Sequence, residues 1–217
     1  FVVKFDQPIQ RTVFANGRRV FPGAGLVNGN AAKAAFGFNS RNGTTVQMKV
    51  ALSTTSISDA YKNLDAELPG WNFDATVTAA KRSWNDLLSV VDVEGTEAQK
   101  QLFYTGLYRN FIQPNNLANA DGTYSGTDFT KHTAADRAHY STFSLWDTYR
   151  ATHPLYTLFA PQKDAAFINS MLRQYDTYGY LPIWQLWGDE NYCMIGNHAI
   201  PVIADAMLKG IKGFDYE

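Results

Sequence analysis

The chain has 217 residues, enough for one large domain or two small ones with a buried core. Its 19 Lys and Arg stand against 20 Asp and Glu, a formal charge of -1, which gives no sign of the basic surface that nucleic acid requires and argues against such a partner. A single cysteine, Cys193, excludes an internal disulfide framework and a multi-thiolate metal site, and no apolar run approaches the ~20 residues that span a bilayer.

From Phe1 to about Ile57 the pattern is short and β-like, with FVVKF, RRVF, AAFGF and TVQMKVALS separated by turns. Asn-Gly pairs at Asn16-Gly17, Asn28-Gly29 and Asn42-Gly43 are hairpin signals. Val46, Met48, Val50 and Leu52 alternate with Gln47, Lys49 and Ala51, the period of a half-buried strand. An antiparallel sheet, one part of a sandwich, is predicted here. FPGAGLVNG has glycines at GxG spacing without a third in place or a βαβ context, and reads as a turn.

After Ser58 the period becomes helical. Asp74 is predicted to cap a helix running through Ala79, Ala80 and Trp84 to Leu88, and Thr96 with Gln99 makes a capping-box pattern. Leu102, Phe103, Leu107, Tyr108 and Phe111 recur at helical spacing and are assigned to the core. Further helices are predicted over Phe143 to Thr152, over Pro161 to Tyr178 with Gly179 as the stop, and over Ala199 to Ile211. The organisation is thus a β part over 1–57, a linker with the first helices over 58–95, and a helical part over 96–217. The polar loop NLANADGTYSGTDFTKH is either functional or a solvated connector.

Two stretches could carry chemistry. In SLWDTYRATHP, Asp147 and Arg150 lie three apart and face one side of a helix. They could simply pair with each other, a contact worth under ~1 kcal/mol. With Trp146 adjacent and His153 just before a helix-ending Pro154, they also form the group a hydroxyl-rich ligand needs: a carboxylate for hydroxyls and a ring for carbon. The 14% aromatic share, with 12 Tyr and 5 Trp, fits either a large core or a sugar-lined cleft. In LPIWQLWGDENYCMIGNHAIPVIADA, Trp184 and Trp187 bracket a turn tipped by Gly188-Asp189-Glu190-Asn191. It reads as a ligand loop, or as a core tryptophan with capping acids. His198 and Cys193 are assigned to the core. Asp147 and Glu190 have the residue types of a glycosidase pair, which needs two carboxyls some ~5 to 10 Å apart. GxSxG, HExxH and GxxxxGK[ST] are missing, and the four His and the Asp121 loop lack metal-ligand spacing.

FSLWDTYRATHPLYTLFAP, GYLPIWQLWGDENYCMIGNHAIPVIADAMLKGIKGFD, ISDAYKNLDAELPGWNFDA and LFYTGLYRNFIQPN resemble glycoside hydrolase family 92, from about Val46 onward and in the family's order. The resemblance implies a calcium-dependent, inverting exo-α-mannosidase of the kind common in gut Bacteroides, periplasmic, cell-surface or secreted. It would act on mannose-containing glycans, with α-1,2 linkages the leading expectation. It also implies an α+β architecture: the C-terminal part of an antiparallel β-sandwich followed by the first helices of an (α/α)6 toroid, with the active site between them. Asp147 would hold hydroxyls of the terminal mannose, with Trp146, Arg150, Trp187 and Glu190 at or near the same subsite. The general acid and base belong to later Glu-Gly-Asn and Gly-Asp-Asp-x-Gly tracts that these residues lack, and the calcium ligands are likewise expected outside this chain. Both ends read as cuts in a longer protein, and an open toroid surface could drive self-association. Two rivals stand beside this reading: another (α/α)6 glycosidase with Asp147 and Glu190 as its acid/base pair, and a carbohydrate-binding module without catalysis.

Overall fold

A computed structural model of the chain describes residues 1–39 and 43–215, so the predicted turn at Asn42-Gly43 lies outside the described residues at Asn42. Strand β1 (Val2–Phe5) leads into β2 (Ile9–Asn16), β3 (Arg19–Phe21) and β4 (Ala32–Phe38), and the chain returns as β5 (Met48–Ala51) to pair antiparallel with β1. Gly17, at φ 60°, closes the β2–β3 hairpin as its Asn-Gly pair predicted. Asn28-Gly29 closes none: β4 pairs with β2 on the edge away from β3. Gly29 instead lies against the Asn16 amide, where a Cβ would fall 2.0 Å from Nδ2.

The alternation around β5 is real but inverted. Met48, Val50 and Leu52 are exposed, whereas Ala51 packs with Val2 against Ala60 and Leu64 of helix α1 (Ile57–Glu67). A period of two marks two faces; the partner helix chooses which one is buried. Lys49 lies on the covered side, donating to Leu68 O at 2.6 Å and sitting over the Trp71 ring.

At the start of α1 the buried Asp59 accepts from Lys131, Lys62, Ser56 and Thr55, all within 2.9 Å. The two ammonium groups, Lys131 first, hold its carboxyl well below the usual range. One turn on, Asn63 donates to Asn119 Oδ1 at 2.8 Å and accepts from Ala120 N.

Helix α2 (Phe73–Leu88) is capped by Asn72, whose side chain accepts from Ala75 N at 2.9 Å. Asp74, predicted as the cap, sits in the first turn near the helix's positive end. Helix α3 (Glu97–Asn110) opens on the predicted Thr96/Gln99 capping box. Of its five predicted core residues only Leu107 is buried and Phe111 half-buried, while Leu102 is 77% exposed and Phe103 and Tyr108 face outward.

The polar loop folds into short strands: β6 (Asn115–Asn116), β7 (Thr123–Ser125), β8 (Lys131–Thr133) and β9 (Tyr140–Ser141), with β7 paired to β8 and β6 to β9. Beneath it His139, 2% exposed, stacks on Tyr124 at 3.8 Å. Burial, and secondarily Arg173, lowers the His139 pKa from 6.5 to about 3. The folded state therefore holds this ring neutral while the unfolded chain protonates it, so stability is full above pH 6.5 and falls as pH drops toward 3. His139→Phe is expected to flatten the decline of Tm between pH 6.5 and 4, removing up to ~1.4 kcal/mol per pH unit. An unchanged slope would sink that assignment.

The main core forms from β10 (Phe143–Ser144), α4 (Leu145–Thr148), α5 (Thr152–Phe159), α6 (Pro161–Tyr178) and α7 (Ala199–Leu208), while β11 (Trp184–Leu186) and β12 (Asp189–Glu190) extend the sheet of β10. Phe143, Leu145, Tyr156, Phe167, Ile168, Met171, Val202 and Ala206 interlock there. The single helix predicted over Phe143 to Thr152 is instead a strand, one turn, a break and a new helix. Pro154 lies in the first turn of α5, where a missing N–H costs nothing, so it begins a helix rather than ending one. Pro161 and Gly179, at φ 84°, bound α6 as predicted, and α7 stops at Leu208, short of Ile211. Among the described residues no helix is long and apolar enough to cross a membrane.

Candidate active site

A three-stranded antiparallel sheet, β10-β11-β12, brings the two motif stretches together: Ser144 lies opposite Trp184, and Gln185 opposite Glu190. From its edge α4 projects. Leu145 is fully buried and anchors the turn, which leaves Trp146 and Asp147 outside.

Asp147 Oδ2 accepts from Ser144 Oγ at 2.5 Å. Arg150 does not pair with it. The helix ends at Thr148, so the three-residue spacing no longer aligns the two charges; Arg150 donates to Trp146 O at 3.3 Å and lies over the Tyr149 ring. The carboxylate is left open to a ligand.

His198 departs from its core assignment. It is half-buried, stacked on Tyr149 at 4.3 Å and 5.4 Å from the Trp146 ring, and its Nε2 has no hydrogen-bond partner among the described residues. Gly196, at φ 89°, lets it in: a Cβ there would come 2.6 Å from Nε2. Tyr149 and His198 thus join Trp146, Asp147 and Arg150 in one group. Gly196 two positions before the histidine was the available signal. His153 does not join them; it is buried, with Nδ1 3.6 Å from Asp164 Oδ1.

Glu190 faces inward. It is 3% exposed, its Oε2 accepts from Ile183 N at 2.8 Å, and its Oε1 accepts from Trp184 N at 2.9 Å and Tyr192 N at 3.2 Å. These backbone donors make it the clamp of its own loop. Trp187 stands on the other side of that loop, 64% exposed and at φ 53°. It borders a cavity of about 560 Å³ formed with Leu52, Leu64, Leu68 and Leu117. Cys193, assigned to the core, is exposed.

Among the described residues no three or more His, Cys, Asp or Glu side chains converge as a metal site would need. They do not offer the carboxylate-rich oxygen cage that calcium takes.

The sequence profile described as the glycosyl hydrolase family 92 catalytic domain matches residues 59–217. The chain belongs to this family. Its fold, a mixed α/β arrangement with antiparallel sheets, matches a family GH92 α-mannosidase from Bacteroides thetaiotaomicron at a TM-score of 0.89 and 31% identity, over 98% of this chain and 30% of that one. A structure of that enzyme in complex with mannoimidazole matches at a TM-score of 0.88, with 31% identity over 98% of this chain and 29% of that one. A GH92 inverting mannosidase from the same organism matches at 0.87, with 27% identity over 98% of this chain and 29% of that one. A protein of Arthroderma benhamiae described as an uncharacterized secreted glycosidase is 24% identical over 182 residues, 82% of this chain and 19% of that protein. The chain therefore spans less than a third of the length of these GH92 relatives.

Proposed function

We propose that the chain supplies part of the sugar site of a secreted or periplasmic exo-α-mannosidase that removes terminal α-linked mannose, α-1,2 foremost, from mannans or N-glycans. The observation that carries this is the open carboxylate of Asp147 beside the exposed Trp146 ring, in a chain whose fold matches α-mannosidases. A carboxylate accepts from neighbouring sugar hydroxyls in charge-assisted hydrogen bonds, and an indole covers the apolar sugar face. Arg150 and Trp187 are read as outer contacts, and Glu190 as the residue that holds their loop in place.

The reaction in this reading is inverting: one carboxylic acid protonates the leaving oxygen while a second carboxylate activates water on the opposite face. Both groups, and the calcium ligands, belong to parts of the enzyme outside these residues. In the same reading residues 1–57 are the end of a β-sandwich, 58–95 a linker with the first helices and 96–217 the start of an (α/α)6 toroid, whose exposed residues on α3 would allow self-association. The rival pairing of Asp147 with Glu190 as acid and base is disfavoured because both Glu190 oxygens already accept backbone N–H groups. A non-catalytic module is disfavoured by the match to catalytic domains.

The test is mannose release from α-1,2-mannobiose, followed by NMR, by the chain and by the protein that carries it, with calcium and then with a chelator. The expected result is β-mannose as first product from the whole protein, lost with the chelator, and no release by the chain alone. First-formed α-mannose would overturn inversion, and release by the chain alone would overturn the external acid and base.

A further inference from the structure

Three tyrosines stand outside the group around Asp147. Tyr178 ends α6, Tyr180 follows its glycine cap, and Tyr192 leaves β12. Their hydroxyls meet: Tyr180 donates to Tyr192 at 2.7 Å, and Tyr178 and Tyr192 are hydrogen-bonded to each other. The rings of Tyr178 and Tyr180 pack edge to face at 4.8 Å. Tyr192 is 62% exposed and holds a left-handed φ of 57°.

We propose that Tyr178, Tyr180 and Tyr192 form an aromatic platform that binds the sugar units of a mannose-containing glycan beyond the terminal one. This rests on the α-mannosidase reading above. An exposed tyrosine on a loop normally turns freely, yet Tyr192 is held at both ends: its backbone N–H by buried Glu190, and its hydroxyl by two neighbours. The freedom lost on binding is already removed while a ring face stays open, which is what stacking on a pyranose requires. The joined hydroxyls add donors and acceptors for sugar hydroxyls. Burial and the bond to Tyr192 keep the Tyr180 hydroxyl protonated and able to donate.

Position supports the same ligand. Asn191 N donates to Trp184 O at 3.3 Å, Trp184 lies opposite Ser144, and Ser144 holds Asp147. Paired strands lie ~4.8 Å apart and β11 separates β12 from β10, so the platform begins about two strand spacings, roughly 10 Å, from Ser144, a span that about two further pyranoses cover.

The experiment compares two substrates in the whole protein that carries this chain: α-1,2-linked mannotriose, and α-mannosyl fluoride, which has no further sugar. Tyr192→Ala is expected to raise KM for mannotriose about tenfold with kcat held, to leave the fluoride unaffected, and to keep Tm near that of the parent. Tyr192→Phe, which keeps the ring, is expected to recover most of the loss. Unchanged KM for mannotriose, or an equal rise for both substrates, would overturn the platform while leaving the mannosidase reading intact. If the parent protein cleaves neither substrate, the mannosidase reading fails, and titration of mannotriose followed by saturation-transfer NMR decides the platform separately. Contact with the parent's tyrosine rings that is lost in Tyr192→Ala supports it, and no contact overturns it.

Discussion

Replacing Asp147 by alanine in the protein that carries this chain is expected to lower kcat/KM for mannose release by about 10² to 10⁴, with the fold retained. A hydrogen bond to a charged group contributes ~1.5 to 3 kcal/mol, two such bonds to sugar hydroxyls are at stake, and each ~1.4 kcal/mol is tenfold. The fold is spared because the carboxylate is exposed and, among the described residues, takes its hydrogen bond from Ser144, while Leu145 anchors the turn. Steady-state kinetics beside a thermal melt checks this. Near-normal turnover would remove Asp147 from the sugar site.

Glu190→Ala is expected to act in the opposite way, as a loss of stability. Its removal strands the N–H groups of Ile183, Trp184 and Tyr192. An unsatisfied buried donor costs ~1 to 3 kcal/mol, so the sum is about 3 to 5 kcal/mol once partial solvation of the loop is allowed. At ~2 to 4 °C per kcal/mol for a chain of this size, Tm falls by about 6 to 20 °C. Glu190→Gln keeps one acceptor oxygen but turns an NH2 toward a backbone donor, and an intermediate loss is expected. An unaltered Tm with activity abolished would make Glu190 a reacting carboxylate and restore the rival pairing.

What could be read from residue order were the features whose signals are local. The capping box at Thr96 and the Pro161 and Gly179 bounds of α6 each follow from a few neighbouring residues. The inverted face of β5 was not legible, because alternation is symmetric and the choice is made by α1 packing on Ala51. The exposed face of α3 was not legible either: helical spacing identifies an apolar stripe but not whether anything covers it. In the candidate site, the WDTYR tract marked Trp146, Asp147 and Arg150 as candidates directly, because they are neighbours in sequence. Glu190 carried no such mark, since an acid in a Gly-Asp-Glu turn looks solvated until the backbone donors around it are seen. His198 entered through Gly196, whose left-handed φ has no periodic signature.

The side-chain bonds from α1 to the polar loop bear on how the chain would answer a protease. Lys131 reaches Asp59 across 72 positions, and Asn119 reaches Asn63 across 56, on either side of the exposed turn around Asp121 and the Asp128 to Thr130 tip. A single cut between Asp121 and Lys131 would therefore leave two fragments fastened to the same helix. Such a clipped protein should travel as one species on a sizing column and separate only in denaturant.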